Sequence, residues 1–155
     1  RAQRSGYIIN ISSIAGFAPA TGWSIYAAAK HAIIGLSESL ADDVRQLGTK
    51  VTAIAPGAFR TQFLTKESLV FAENSIEDYE EVHASHDKFH KMNGNQLGDP
   101  EKAAEVMIHL AESDNPPVRL YLGSDAYRRA SAKLGTLTQM LEDWKDTTLS
   151  TDFQE

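Results

Sequence analysis

The sequence predicts an α/β fold, a parallel sheet with helices packed on it. Two β-branched runs, residues 7–11 and 51–55, flank one long amphipathic helical stretch at 24–47. A third run, 118–122, follows another helical pattern. Strand, long helix, strand with short joints is a βαβ unit, whose crossover is right-handed and whose strands are parallel.

The elements follow in order. Tyr7-Ile-Ile-Asn-Ile11 is hydrophobic without alternation, which suits a central strand covered on both faces. Ser12 and Ser13 end it, and a loop with Gly16, Pro19 and Gly22 follows. In the helix over 24–47, Ile33, Leu36, Leu40, Val44 and Leu47 recur at steps of three and four and mark one apolar face. Ala27, Ala28, Ala29 and Ala32 favour helix and permit close approach of another backbone. Gly48 supplies the stop, and the second strand ends at Pro56-Gly57.

Residues 59–97 lose the regular pattern. Phe59, Phe63, Leu64, Leu69, Val70 and Phe71 are apolar, and 73–91 is a polar, helical stretch. A long insertion of this kind suits a mobile binding segment, here a substrate lid. Asp99-Pro100 gives an N-cap and a first-turn proline to a helix carrying Ala103, Ala104, Met107, Ile108 and Ala111. Asn115-Pro-Pro117 breaks it, and the third strand follows. Gly123-Ser124-Asp125 opens a last helix with Ala130, Leu134, Leu137, Leu141 and Trp144 on one face. Residues 147–155 form a polar tail, expected to be loose.

The 155 residues suffice for one domain with a core. The net charge of −6 argues against nucleic acid or an anionic membrane surface as partner. No apolar run is long enough for a transmembrane helix, and no signal peptide is recognisable. There is no cysteine, so disulfides and thiol catalysis are excluded; a reducing cytoplasm is compatible with this. Arg1-Ala-Gln-Arg-Ser-Gly6 reads like the end of a helix and a turn, as expected of a chain cut from something longer.

The chemistry is expected at the carboxyl ends of the strands, where open α/β sheets bind ligands. Ser13 lies at one such end, Pro56 and Gly57 at another. Tyr26 and Lys30 are four apart on a helix and share a face. A tyrosine ordinarily ionises near a pKa of about 10, and a cation one turn away favours its phenolate. A neighbouring hydroxyl holds an oxygen on which negative charge develops. Together the three suit proton transfer to or from an alcohol or carbonyl oxygen. Alone, Tyr-x-x-x-Lys and a strand-end Ser-Ser are weak signals; their conjunction raises the reading.

His83, His86 and His90 share a helical face, but the stretch is charged, and a solvated face rather than a metal site is the default. No metal is called for. His31 and His109 are read as structural. Trp23 and Phe59 line the substrate mouth or simply pack. Asp42-Asp43 is the polar side of the long helix.

The sequence resembles the short-chain dehydrogenase/reductase family in three motifs: Asn10-Ile-Ser-Ser13-Ile-Ala-Gly16, Tyr26-Ala-Ala-Ala-Lys30 and Pro56-Gly-Ala-Phe-Arg-Thr61. The interval from Ser13 to Tyr26 matches the single-domain branch. The stretches Pro117-Val-Arg-Leu-Tyr-Leu-Gly-Ser-Asp125 and Ser150-Thr-Asp-Phe153 are similar to bacterial members grouped with 17-beta-hydroxysteroid dehydrogenase-like oxidoreductases. The resemblance implies the carboxyl-terminal part of a Rossmann-like doubly wound parallel sheet, truncated at its amino end, with 1–155 a single partial domain. It implies that Tyr26 is the general acid/base, that Ser13 holds the substrate oxygen, and that Lys30 bonds the nicotinamide ribose. Pro56, Gly57 and the backbone near Phe59 would border the nicotinamide, and Thr61 would bond its carboxamide. The cofactor is NADP or NAD, with NADP preferred.

The family's Gly-rich phosphate turn, Gly-x-x-x-Gly-x-Gly, occurs nowhere in the chain. Asn10 is a strand residue and does not match the family's proton-relay asparagine. The expectation is therefore an NAD(P)-dependent oxidoreductase interconverting hydroxyl and carbonyl groups of a small-molecule alcohol or ketone, cytoplasmic, and a homodimer or homotetramer when full length. The apolar side of the long helix would carry the subunit contact. Residues 1–155 alone would neither bind the dinucleotide tightly nor turn over. The alternative is a truncated, non-catalytic relative acting as an interaction module.

Overall fold

The computed structural model describes residues 2–70 and 76–153. Three strands, β1 (Gly6–Ile11), β2 (Thr49–Pro56) and β3 (Arg119–Leu122), form one sheet in the order β1-β2-β3. Both pairings are parallel. Five helices accompany them: α1 (Ser24–Val44), α2 (Glu80–Met92), α3 (Pro100–Glu112), α4 (Ser124–Asp143) and α5 (Lys145–Leu149). The expected α/β parallel sheet is present. Arg1, Phe71, Glu73, Gln154 and Glu155, each part of a sequence expectation, lie outside the described residues.

Side-chain alternation along the strands sends the helices to both faces. Asn10, Ala53 and Arg119 stand in one row across the sheet. On their face the Asn10 amide donates to the Ser37 hydroxyl at 2.9 Å, and Arg119 pairs with Glu38, so this face carries α1. Ile54, Leu120 and Leu122 point the other way and pack with Leu110 and Met107 of α3. Both crossovers step the same way across the sheet, yet their helices lie on opposite faces. They are therefore of opposite hand, and the right-handed rule holds for only one of them.

β2 is the central strand, with Val51 to Ala55 all buried. β1, read from sequence as central, lies at an end of this three-stranded sheet, and Ile8 and Ile11 are exposed. Its continuous hydrophobicity is matched by neighbours on one side only.

The buried stripe of α1 is Ala27, Ile34, Ser37 and Ala41. Ile33, Leu40, Val44 and Leu47 flank it, while Leu36 is 58% exposed and off the stripe. The shift has a steric reason. β2 presents Val51, Ala53 and Ala55 on the face that carries α1, and the two alanines let the helix approach closely through its small residues, while the larger ones sit at the margins. Gly48 ends the following 3-10 turn at φ 70°, the left-handed stop expected of it. Asp99 caps α3 through its carboxylate, which accepts the Glu101 and Lys102 N–H groups at 2.9 and 3.4 Å.

Ala126 and Ala130 of α4 pack with Ile14, and Phe17, Ala18 and Tyr121 close around them. Beyond Ala130 the apolar face read from sequence leaves the core: Leu134, Leu141 and Trp144 are exposed. α5 covers the first residues of the stretch expected to be a loose tail. Among the described residues no helix is long and apolar enough to cross a membrane.

Candidate active site

One cavity of about 470 Å³ opens at the carboxyl ends of β1 and β2. Ser13, Tyr26, Lys30, Pro56, Gly57, Phe59 and Thr61 all line it, so every site residue expected from sequence reaches the same space. Chain direction explains this: parallel strands end at one edge, and α1 starts where the loop after β1 returns to that edge.

Ser13 is the N-cap of a single 3-10 turn, Ile14–Gly16. Its hydroxyl oxygen accepts the Ala15 N–H at 3.1 Å, which leaves its own hydrogen to be donated into the cavity. Lys30 donates to the Ile11 carbonyl at 3.2 Å and keeps two further N–H donors. Its ammonium lies 5.8 Å from the centre of the Tyr26 ring. Thr61 caps another 3-10 turn by accepting the Phe63 N–H at 3.3 Å, so its hydroxyl hydrogen is also free to donate.

An aromatic wall surrounds Tyr26. Trp23 lies edge-on at 5.6 Å and Phe63 tilted at 5.6 Å. Phe89 of α2 meets Trp23 at 4.7 Å, edge to face, a favoured geometry. Two hydrogen bonds to backbone carbonyls hold α2 there: Ser85 to Thr21 at 2.8 Å and His86 to Gly22 at 3.2 Å. His83 contacts the Ile76 carbonyl at 3.0 Å. Among the described residues no group of three or more His, Cys, Asp or Glu side chains is placed to hold a metal ion.

Four features were not read from sequence. Ser12 is buried, and its hydroxyl donates to the Lys30 carbonyl at 2.7 Å. Gly16 lies against the same carbonyl; a Cβ there would come within 2.6 Å of it. Gln96 lines the cavity from below, with neither end of its amide hydrogen-bonded. Arg129 of α4 lines it too, donates to the Ala18 carbonyl, and is half-buried; burial pulls its guanidinium below the ordinary arginine range, partly offset by Asp125. The adjacent serines were the one available signal for Ser12, since two hydroxyls at a strand end exceed what one substrate contact needs.

A profile described as short chain dehydrogenase matches residues 1–69. A Streptomyces avermitilis short-chain dehydrogenase structure is 36% identical, with a TM-score of 0.87 over 98% of this chain and 55% of that one. These matches support the short-chain dehydrogenase/reductase family for this chain. An oxidoreductase of Botryotinia fuckeliana is 32% identical over 97% of this chain and 54% of its own length. A carbonyl reductase family member 4 of Xenopus laevis is 35% identical over 72% of the chain and 40% of its own. The chain thus spans about half the length, or less, of these curated relatives. Its sheet and helices form the same Rossmann-like architecture as the Streptomyces structure.

Proposed function

We propose that the protein containing this chain is an NAD(P)-dependent oxidoreductase that interconverts a hydroxyl and a carbonyl group, with Tyr26 as general acid/base. The observation that carries this is the convergence of Ser13, Tyr26, Lys30 and Thr61 on one cavity at the strand ends.

The donor set suits a nicotinamide riboside. Lys30 offers N–H groups to ribose hydroxyls, Thr61 a hydroxyl to a carboxamide, and Ile11, Pro56 and Phe59 apolar surface to a flat ring. When bound, the dinucleotide supplies or takes the hydride. The chain's own residues do the rest. Ser13 donates its hydroxyl hydrogen to the substrate oxygen and holds it beside Tyr26. In the reductive direction the Tyr26 hydroxyl gives its proton to that oxygen as charge develops there, and Lys30 keeps a positive charge next to the tyrosinate left behind. Trp23, Phe63 and Phe89 exclude water from that transfer. Residues 59–97 act as the substrate lid, and the apolar environment favours a partly hydrophobic substrate. NADP is the preferred cofactor, and a homodimer or homotetramer the preferred assembly.

In the intact protein, Tyr26→Phe should lower kcat for carbonyl reduction by about 10²–10⁴-fold while dinucleotide binding, followed by fluorescence titration, is kept. Wild-type rates in the variant would discard the acid/base assignment.

A further inference from the structure

We propose that Arg129 is a specificity-determining residue that makes this a site for hydroxy or oxo carboxylic acids, its guanidinium receiving the substrate's carboxylate. The proposal rests on the reading above, in which Ser13 and Tyr26 hold the reacting oxygen.

The wall of the cavity is otherwise apolar or neutral over most of its extent: Ile14, Ala15, Ala20, Phe63, Phe89 and Met107 contribute to it. Two cations break this pattern, Lys30 and Arg129. Lys30 sits beside Tyr26 and is accounted for by the chemistry there. Arg129 approaches from α4, against the loop after Ser13, and is anchored by one bond to the Ala18 carbonyl. That bond uses a single N–H of the five a guanidinium carries.

Among the described residues no carboxylate lies within 4.0 Å of the Arg129 guanidinium, and Asp125 acts on it only at longer range. Asp125, one turn back on α4, accepts the Ala58 N–H at 2.9 Å. Among the described residues the ion pairs within 4.0 Å are Asp42–Arg45 and Glu38–Arg119, and neither involves Arg129. A half-desolvated guanidinium on an apolar cavity wall, without an ion-pair partner, is complementary to a planar anion that accepts two N–H groups. A bare structural latch between α4 and the loop would need only a neutral donor. Coupling the charge to the cavity is what distinguishes a substrate contact from that latch.

The experiment separates the two. 4-Phenylbutanoate and 4-phenylbutanamide share shape and differ in charge. Calorimetric titration of the intact protein should show the acid binding at least about tenfold more tightly, the scale of a charge-assisted pair. Arg129→Gln keeps a donor for the Ala18 carbonyl and should erase the preference; Arg129→Lys should retain part of it. In turnover, 4-oxo-4-phenylbutanoate should exceed its methyl ester in kcat/KM by a similar factor. Equal binding of acid and amide by wild type, or a preference that survives in folded Arg129→Gln, overturns the proposal, and the wild-type comparison decides even if the variant does not fold. Turnover of neutral ketones without any acid preference removes the carboxylate site and leaves the oxidoreductase reading standing. Acid-selective binding lost in Arg129→Gln, with no turnover of any carbonyl compound, supports the carboxylate site and removes that reading.

Discussion

Ser12, Gly16 and Lys30 meet at one carbonyl. The Ser12 hydroxyl bonds it and the Gly16 backbone presses on it, so the turn bearing Ser13 and the helix bearing Tyr26 are held in fixed relation. Gly16→Ala has no room: the new methyl would meet the Lys30 backbone at 2.6 Å and the Ser12 hydroxyl at 2.9 Å. It should destabilise the fold by about 1–3 kcal/mol, read as a lower denaturant midpoint at unchanged m, and lower kcat more than it raises KM. Gln96 is the opposite case. Both ends of its buried amide lack partners, and an apolar side chain of similar length removes that penalty. Gln96→Met should raise stability by about 1 kcal/mol, or about 2–4 °C in Tm; a fall in Tm would show that the amide is satisfied in solution. At this scale the sequence disclosed the residues whose chemistry is distinctive. Ser13, Tyr26, Lys30 and Thr61 carry hydroxyls or charge at spacings that strands and helices turn into proximity. Ser12, Gly16 and Arg129 were not legible, because their importance lies in what the folded backbone brings against them.

Among the elements, α3 shows how far local signals reach. Asp99 and Pro100 predict its start, and the carboxylate does cap the first turn. Asp99→Ala should cost about 1 kcal/mol, measurable by thermal melts. The helix faces were harder to read. Periodicity gives the apolar side of α1 within about one residue position, but which residues touch β2 depends on the small side chains opposite, Ala53 and Ala55. In α4 the apolar repeat continues past Ala130, yet only Ala126 and Ala130 reach the core. Arg119 joins three elements: it bonds Tyr121 at 2.9 Å, pairs with Glu38 of α1, and lies 5.0 Å from the centre of the Phe17 ring. A double-mutant cycle on Arg119 and Glu38 should give less than about 1 kcal/mol, because Glu38 is 45% exposed. Arg119→Ala should cost more than that coupling, through the lost ring contact and the freed Tyr121 hydroxyl.

For the molecule as a whole, parallel strands and their number followed from two short joints and three hydrophobic runs. The opposite hands of the two crossovers did not, since no local pattern records which face of a sheet a helix will cover. Nor did the position of β1 within the sheet. Its hydrophobic run specifies a strand that can be covered on both faces, while its pairing here is to β2 alone. A strand with one open hydrogen-bonding edge and exposed Ile8 and Ile11 invites further pairing. The 155-residue chain on its own should therefore self-associate with rising concentration, seen by light scattering after size exclusion. A monodisperse monomer into the hundreds of micromolar would contradict this.

The bonds that seat α2 bear on engineering. Ser85 and His86 grip the carbonyls of Thr21 and Gly22, which are backbone atoms and survive any change of side chain in that loop. The turn bearing Ser13 and the helix bearing Tyr26 are tethered separately, through Ser12 and Gly16. If the proposed lid role holds, transplanting a different segment that keeps two donors at those positions should redirect substrate choice while Ser13 and Tyr26 stay in place.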